Sequence, residues 1–278
     1  MARLLGFIGN RPDLGVRAIE LEARALTFRR KPAVIPGWGV GFYQGGEILL
    51  KRRPIDDRPE ISLLDMTKDM RADVLLAHIR SATVGSLRTE NTHPFRYRQW
   101  LFAHTGTVEA FARLRSRMSE SLPQFLQRDV RGETDSELLF HLFLSFLHDS
   151  GDLDRPNVDA PSARAALRSC IALVERLCAE EGAGPSAMNI LVSNPEYLLA
   201  VHGGAPMAHR VYEGRHDLER LFGDSGLGRM RLPELATSRL TLVGSDFDGN
   251  QTPPGWTTVG ERAIVTFTRS DGPAIEPF

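Results

Sequence analysis

Met1-Ala2-Arg3 opens the chain and Leu4-Leu5-Gly6-Phe7-Ile8-Gly9 follows, an apolar run that ends at Gly9-Asn10 and predicts a buried strand beginning almost at the N-terminus. Working outward, residues 14–28 have helical spacing, with Ile19, Ala23 and Leu26 on one face. The basic cluster Arg29-Arg30-Lys31 then reads as a solvated helix end. Gly37-Trp38-Gly39-Val40-Gly41-Phe42-Tyr43, Gly45-Gly46 and Ile48-Leu49-Leu50 predict a β-hairpin. Residues 73–79 and 100–104 are two further buried strands, and 107–128 are expected to be mostly helical.

Thr134, followed three residues on by Glu137, opens a helix to Leu147 with a capping signature. The polar stretch 149–161 reads as a loop. Ser162 is the expected cap of a long helix over 163–181, stopped by Gly182-Ala183-Gly184-Pro185. Residues 188–192 and 197–201 predict a hairpin around Asn194-Pro195, residues 205–238 look irregular, and 240–243 and 263–267 are late strands. Strands, then helices, then strands point to segregated layers rather than alternating βαβ units. With no internal repeat and no clean break, residues 1–278 read as one domain.

Composition narrows the function classes. Of 278 residues, 42% are hydrophobic, ample for a substantial core, and 34 basic against 35 acidic side chains leave a formal charge of -1. Such a balance gives no global field for nucleic acid or an acidic membrane face, and no apolar run approaches the roughly eighteen residues of a membrane span. Cys170 and Cys178 lie two helical turns apart, roughly 12 Å along the axis, too far for a disulfide. Both read as small buried residues of a protein in a reducing cytoplasm. Neither forms a metal-ligand pattern, and the glycine-rich hairpin lacks the Gly-Lys-Ser/Thr ending of a phosphate loop. No metal, nucleotide or flavin site is expected. Arg210 and Arg215, flanking Tyr212, are a candidate edge for an acidic group.

Four stretches fall at strand ends or loops: His78-Ile79-Arg80-Ser81-Ala82-Thr83-Val84-Gly85, Asn91-Thr92-His93-Pro94-Phe95, Ala103-His104-Thr105-Gly106, and Gly132-Glu133-Thr134-Asp135-Ser136-Glu137. Singly, each has a structural reading: a strand-end His-x-Arg pair, or a helix cap with acidic residues at its N-terminus. Taken in this order, with the Met-x-Arg-Leu-Leu-Gly start and the Gly-Trp-Gly-x-Gly hairpin, they resemble the short stand-alone class II glutamine amidotransferases. That family has the N-terminal-nucleophile hydrolase fold. The resemblance implies an α+β, four-layer αββα sandwich of two mostly antiparallel sheets, about 10 Å apart, with helices outside.

In that family the cysteine after the initiator methionine attacks the side-chain amide of glutamine, and its own α-amine is the base. An asparagine side chain and the next glycine N–H hold the oxyanion. By resemblance, Arg80 falls on the arginine that holds the substrate carboxylate and Thr83 on a nearby contact. His93 falls beside the pocket, Asp135 on the ammonium-binding aspartate, and Gly106 on the oxyanion-hole glycine. Two positions depart: Ala2 stands where the nucleophile would be, and Thr105 where the asparagine would be.

Three readings follow. The first is a pseudoenzyme that still binds glutamine or a γ-glutamyl compound, as a sensor or as the partner of another protein. The second is an active amidotransferase or γ-glutamyl-amide hydrolase represented by a Cys-to-Ala variant. The third is a scaffold that makes protein contacts only.

Overall fold

The computed structural model describes residues 2–29, 36–222 and 237–278. The opening apolar run is strand β1 (Arg3–Gly9), every residue of which is buried. It runs antiparallel between β6 (Val74–Arg80) and β12 (Arg239–Ser245). The sheet continues on one side through β3 (Gly37–Gln44) to β4 (Glu47–Arg53), the expected hairpin. On the other side it continues through β11 (Met207–Glu213) to β13 (Thr257–Thr258). The second sheet is six-stranded. Its order is β15 (Ala274–Pro277), β14 (Ala263–Thr268), β10 (Tyr197–His202), β9 (Ala187–Ser193), β8 (Trp100–Thr107) and β7 (Phe95–Tyr97). All pairings in both sheets are antiparallel. A small ribbon pairs β2 (Thr27–Arg29) with β5 (Glu60–Ser62).

Three cores define four layers. Between the sheets, Leu4 and Ile8 of β1 meet Leu101, Leu191, Leu198 and Val265. With their alternate direction, Leu5 and Phe7 face the outer helices α1 (Gly15–Leu21), α2 (Ala23–Leu26), α3 (Leu63–Thr67) and α8 (Gly214–Phe222). The second sheet packs outward on α4 (Phe111–Glu120), α5 (Gln124–Gln127), α6 (Asp135–Asp149) and α7 (Ala160–Glu180). This is the expected αββα order. Cys170 and Cys178 are buried and free on α7, and burial pushes the Cys170 thiol up to about 12. Among the described residues, no helix is long and apolar enough to cross a membrane.

Several local expectations are corrected. The single helix over 14–28 is two short helices and a strand. Glu22 sits at the break, and its carboxylate accepts from Tyr212 Oη at 2.5 Å and Trp256 Nε1 at 2.8 Å. Arg29 is therefore a strand residue paired with Glu60 at 3.4 Å; Arg30 and Lys31 lie outside the described residues. The long helix begins three residues earlier than expected. Its cap is Asp159, whose carboxylate accepts the Ser162 N–H at 2.7 Å, and Pro161 fits the first turn, where its missing N–H costs nothing. The 205–238 stretch contains β11 and α8, and residues 223–236 lie outside the described residues. Residues 256–267 hold two strands, separated by a turn with Arg262 at φ 53°. Arg210 lies over Tyr212 at 5.0 Å and pairs with Asp217 at 3.1 Å, while Arg215 pairs with Glu219, so both charges are met within the chain.

Candidate functional site

Strand register assembles the site. Arg3 pairs with Ile79, which sets Ala2 beside Arg80 at the end of the first sheet. Arg3 is itself buried on the opposite face. Its guanidinium donates to Asp246 O at 3.0 and 3.3 Å, to Ala25 O at 3.2 Å, to Thr27 O, and to Asp248 Oδ1 at 2.8 Å, so the start of β1 is pinned. Ala2 lines a small cavity together with Arg80, Thr83, His93, Thr105, Gly106 and Asp135. The structure thus brings together the seven residues that the family resemblance singled out, while Arg210 and Arg215 lie outside this lining.

It also adds His78, His104 and Ser136 to the lining. His78 could have been found from spacing: two residues before Arg80 on one strand, it shares that residue's face. The His78 and His93 rings lie 4.2 Å apart, and His104 Nδ1 is 2.8 Å from Ser136 Oγ. Burial, followed by the charges of neighbouring rings and Arg80, holds His78 down at about 3, and it also lowers His93 and His104. All three are neutral imidazoles at neutral pH. Both nitrogens of His93 and Thr105 Oγ1 are buried with no hydrogen-bond partner. Buried polar atoms are nearly always satisfied, so a concentration of orphans around one cavity marks a surface that awaits polar ligand atoms.

The oppositely charged pair is held firmly. Asp135 opens α6, where the helix N-terminus favours its charge. Its Oδ2 accepts from Val108 N–H and its Oδ1 from Ser136 N–H, both at 2.8 Å. Thr134 caps the helix by accepting the Glu137 N–H at 3.2 Å. Glu137 does not reach back to Thr134; its carboxylate accepts from the N–H groups of Arg131 and Gly132. Arg80 is buried and donates to Val84 O at 2.7 Å and to Gly85 O and Ser86 O at 3.2 Å. The 81–86 turn therefore folds over its own arginine. Glu133 latches that turn by accepting from Ser86 N–H, Ser86 Oγ and Asn91 Nδ2. The enclosed space is only about 30 Å³, on the order of one water molecule's share of liquid volume.

Two glycines are required here. Gly106 has φ 138°, and a Cβ on it would lie 1.8 Å from Ala187 O. A Cβ on Gly39 would lie 2.1 Å from His93 O, so this hairpin glycine is what lets the His93 loop rest against β3. Gly39→Ala is expected to lower unfolding free energy by about 1–3 kcal/mol in chemical denaturation, the usual cost of overpacking. Gly184→Ala, which meets nothing within 4 Å, should be close to neutral.

No cysteine lines the cavity, and position 2 carries a methyl group. Across from Thr105 in register is Asn189, but its amide donates to Ala205 O at 2.6 Å and accepts from Gly203 N–H at 3.1 Å. Both ends of the Asn189 amide are thus committed to backbone groups. Among the described residues, no group of three or more His, Cys, Asp or Glu side chains is arranged to hold a metal ion.

An αββα sandwich with its cavity at the sheet ends, beside the first residues of the chain, has the architecture of the N-terminal-nucleophile hydrolases. Over its whole length the fold matches a solved glutamine aminotransferase class-II domain protein from Silicibacter pomeroyi. The TM-score is 0.58 at 19% identity, with 99% of each chain covered. The family model for class-II glutamine amidotransferases matches residues 1–223, and the chain belongs to that family. It is 28% identical over 175 residues to "Probable glutamine amidotransferase DUG3" of Saccharomyces cerevisiae, covering 60% of this chain and 48% of that protein. It is 32% identical over 121 residues to the gamma-glutamyl-hercynylcysteine sulfoxide hydrolase of Mycobacterium tuberculosis, covering 39% of this chain and 50% of that protein. The chain thus spans about half the length of these curated relatives.

Proposed function

We propose that this family member binds glutamine or a γ-glutamyl compound without hydrolysing its amide, acting as a sensor or as the partner of another protein. The observation that carries this reading is the asymmetry of the cavity. Arg80, His93, Gly106 and Asp135 line it together with Ala2 and Thr105, which by motif resemblance stand where the family has its nucleophile and its oxyanion-hole asparagine. A methyl group has no lone pair with which to attack a carbonyl. The gripping half needs no chemistry: Arg80 would take the α-carboxylate by bidentate bonds, Asp135 the α-ammonium, and the unpartnered histidine and threonine atoms the polar remainder.

Calorimetric titration with L-glutamine tests the reading. Saturable binding is expected, together with no ammonia release. Arg80→Ala and Asp135→Ala should each weaken binding at least tenfold, since each leaves one ligand charge unpaired. Binding unchanged by both substitutions would overturn it, and absence of any binding would leave a scaffold role. A second reading, a γ-glutamyl hydrolase represented by a Cys-to-Ala variant, is favoured by the intact Gly106 turn and by the similarity to the mycobacterial hydrolase. An alanine codon at position 2 of the native gene eliminates it.

A further inference from the structure

We infer that a second cavity, on the far side of the His93 loop, is a binding site for a small free α-amino acid. This cavity, about 320 Å³, is lined among others by Arg52, Glu90, Phe95, Arg96, Asp129 and His141. Its size lies at the lower end of the range of about 300–1,000 Å³ typical of small-molecule sites. His141 is 3% exposed. Its Nδ1 lies 2.8 Å from Glu137 O, a pure acceptor, so in the neutral ring that nitrogen carries the proton and Nε2 presents a lone pair. Nε2 is buried and has no hydrogen-bond partner, with Asp129 Oδ2 3.9 Å away. A donor is called for at that point, and an ammonium group would satisfy the imidazole and the carboxylate together.

The opposite charge is also available. Arg52 is half-buried, and its one hydrogen bond is to Thr92 O at 3.3 Å; Arg96 bonds Ile48 O at 3.2 Å. Neither arginine has an ion pair among the described residues. Glu137, which also lines the cavity, is already occupied by two backbone N–H groups, and Arg131 is tied to Asp129 at 3.6 Å. What remains is two guanidinium groups without an ion pair for a carboxylate, and Glu90, His141 Nε2 and Asp129 Oδ2, whose other oxygen faces Arg131, for an ammonium. Having both signs selects a zwitterion over a simple anion. Arg52 holds the carbonyl of Thr92, and the next residue lines the first cavity, so occupancy here would bear on the His93 loop.

Calorimetry on the full chain with L-alanine, L-serine and L-glutamate, each beside its N-acetyl and carboxamide derivatives, tests the site. At least one free amino acid should bind with a dissociation constant near or below about 1 mM. Blocking either charge, or introducing Arg96→Leu or His141→Asn, should weaken it at least tenfold, and Arg80→Ala should leave it unchanged. Glu90→Gln, an exposed conservative change, supplies the same readout if His141→Asn fails to fold. Three outcomes overturn the inference: no saturable binding by any of the three, loss of binding in Arg80→Ala, or equal binding by acetate alone. Because Arg80 lines the first cavity and not this one, failure here is distinct from failure of the glutamine reading.

Discussion

Ala2→Cys combined with Thr105→Asn is expected to turn the chain into a glutaminase, with no ammonia release expected from the unmodified protein. Once the initiator methionine is removed, residue 2 carries a free α-amine, which titrates near 7.7–8.0 in model peptides and is suited to base work at neutral pH. The amine takes the thiol proton, sulfur bonds to the γ-carbonyl carbon, and the carbonyl electrons move onto oxygen. As that oxyanion collapses, the α-ammonium returns its proton to the leaving nitrogen, ammonia departs, and the thioester is cleaved by water to glutamate and the free thiol. The pinned start of β1, held by Arg3 to Asp246, Ala25 and Thr27, would position the new thiol beside Arg80. Ala2→Cys alone should be feeble, because the oxyanion would face Thr105 with its short hydroxyl, and Asn189 is unavailable. Adding the asparagine should raise kcat by about 10²–10³, the usual worth of one such donor. Ammonia release from L-glutamine, with mass spectrometry to verify loss of Met1, is the measurement. A double variant that binds glutamine yet stays inert would show that the site lacks more than these two groups.

What could be read from the sequence divides by the distance over which each feature is determined. β1 was legible because all seven residues are buried and its apolar run is unbroken. The cap of α6 was legible because Thr134 and Glu137 meet three residues apart. The break between α1 and α2 was not, since it centres on Glu22, whose partners Tyr212 and Trp256 lie 190 and 234 residues away. β11 was hidden by its own composition: buried His209 and half-buried Arg210 interrupt the apolar alternation, and only pairing with β12 shows it to be a sheet strand. In the site, Arg80, His93 and Asp135 stood out through motif resemblance. The latch of Glu133 on Ser86 and Asn91 carries no motif, and neither does the capture of Arg80 by its own turn. Such contacts decide whether a pocket is open, and they follow from loop geometry that short-range patterns do not encode.

Stability should fall steeply as pH drops from 6.5 toward 4.5, and the buried histidines are the cause. In the unfolded chain each titrates near 6.5. In the folded protein, burial comes first in holding His78, His93 and His104 below that value; Arg80 adds to the effect at His78 and His93, Arg52 at His93, and Asp135 opposes it at His104. Above pH 6.5 both states are neutral and nothing is lost. Below it the unfolded chain takes up protons that the fold excludes, so linkage favours unfolding, and for His78 this continues down to about pH 3. The limiting slope is about 1.4 kcal/mol per pH unit for each histidine, hence up to about 4 kcal/mol per unit if all three stay neutral. Denaturant melts at half-unit steps between pH 7 and 4.5 would read it before most carboxylates titrate. His93→Phe, placed against Phe95 with ring centroids now 4.6 Å apart, removes one titrating group while keeping an aromatic ring there. Its stability curve should be flatter than that of the parent over this window, with the remaining slope left to His78, His104 and His209, which burial also lowers. Parallel curves for the two proteins would mean that His93 takes up protons in the folded state, and the neutral-imidazole description of the cavity would then be wrong.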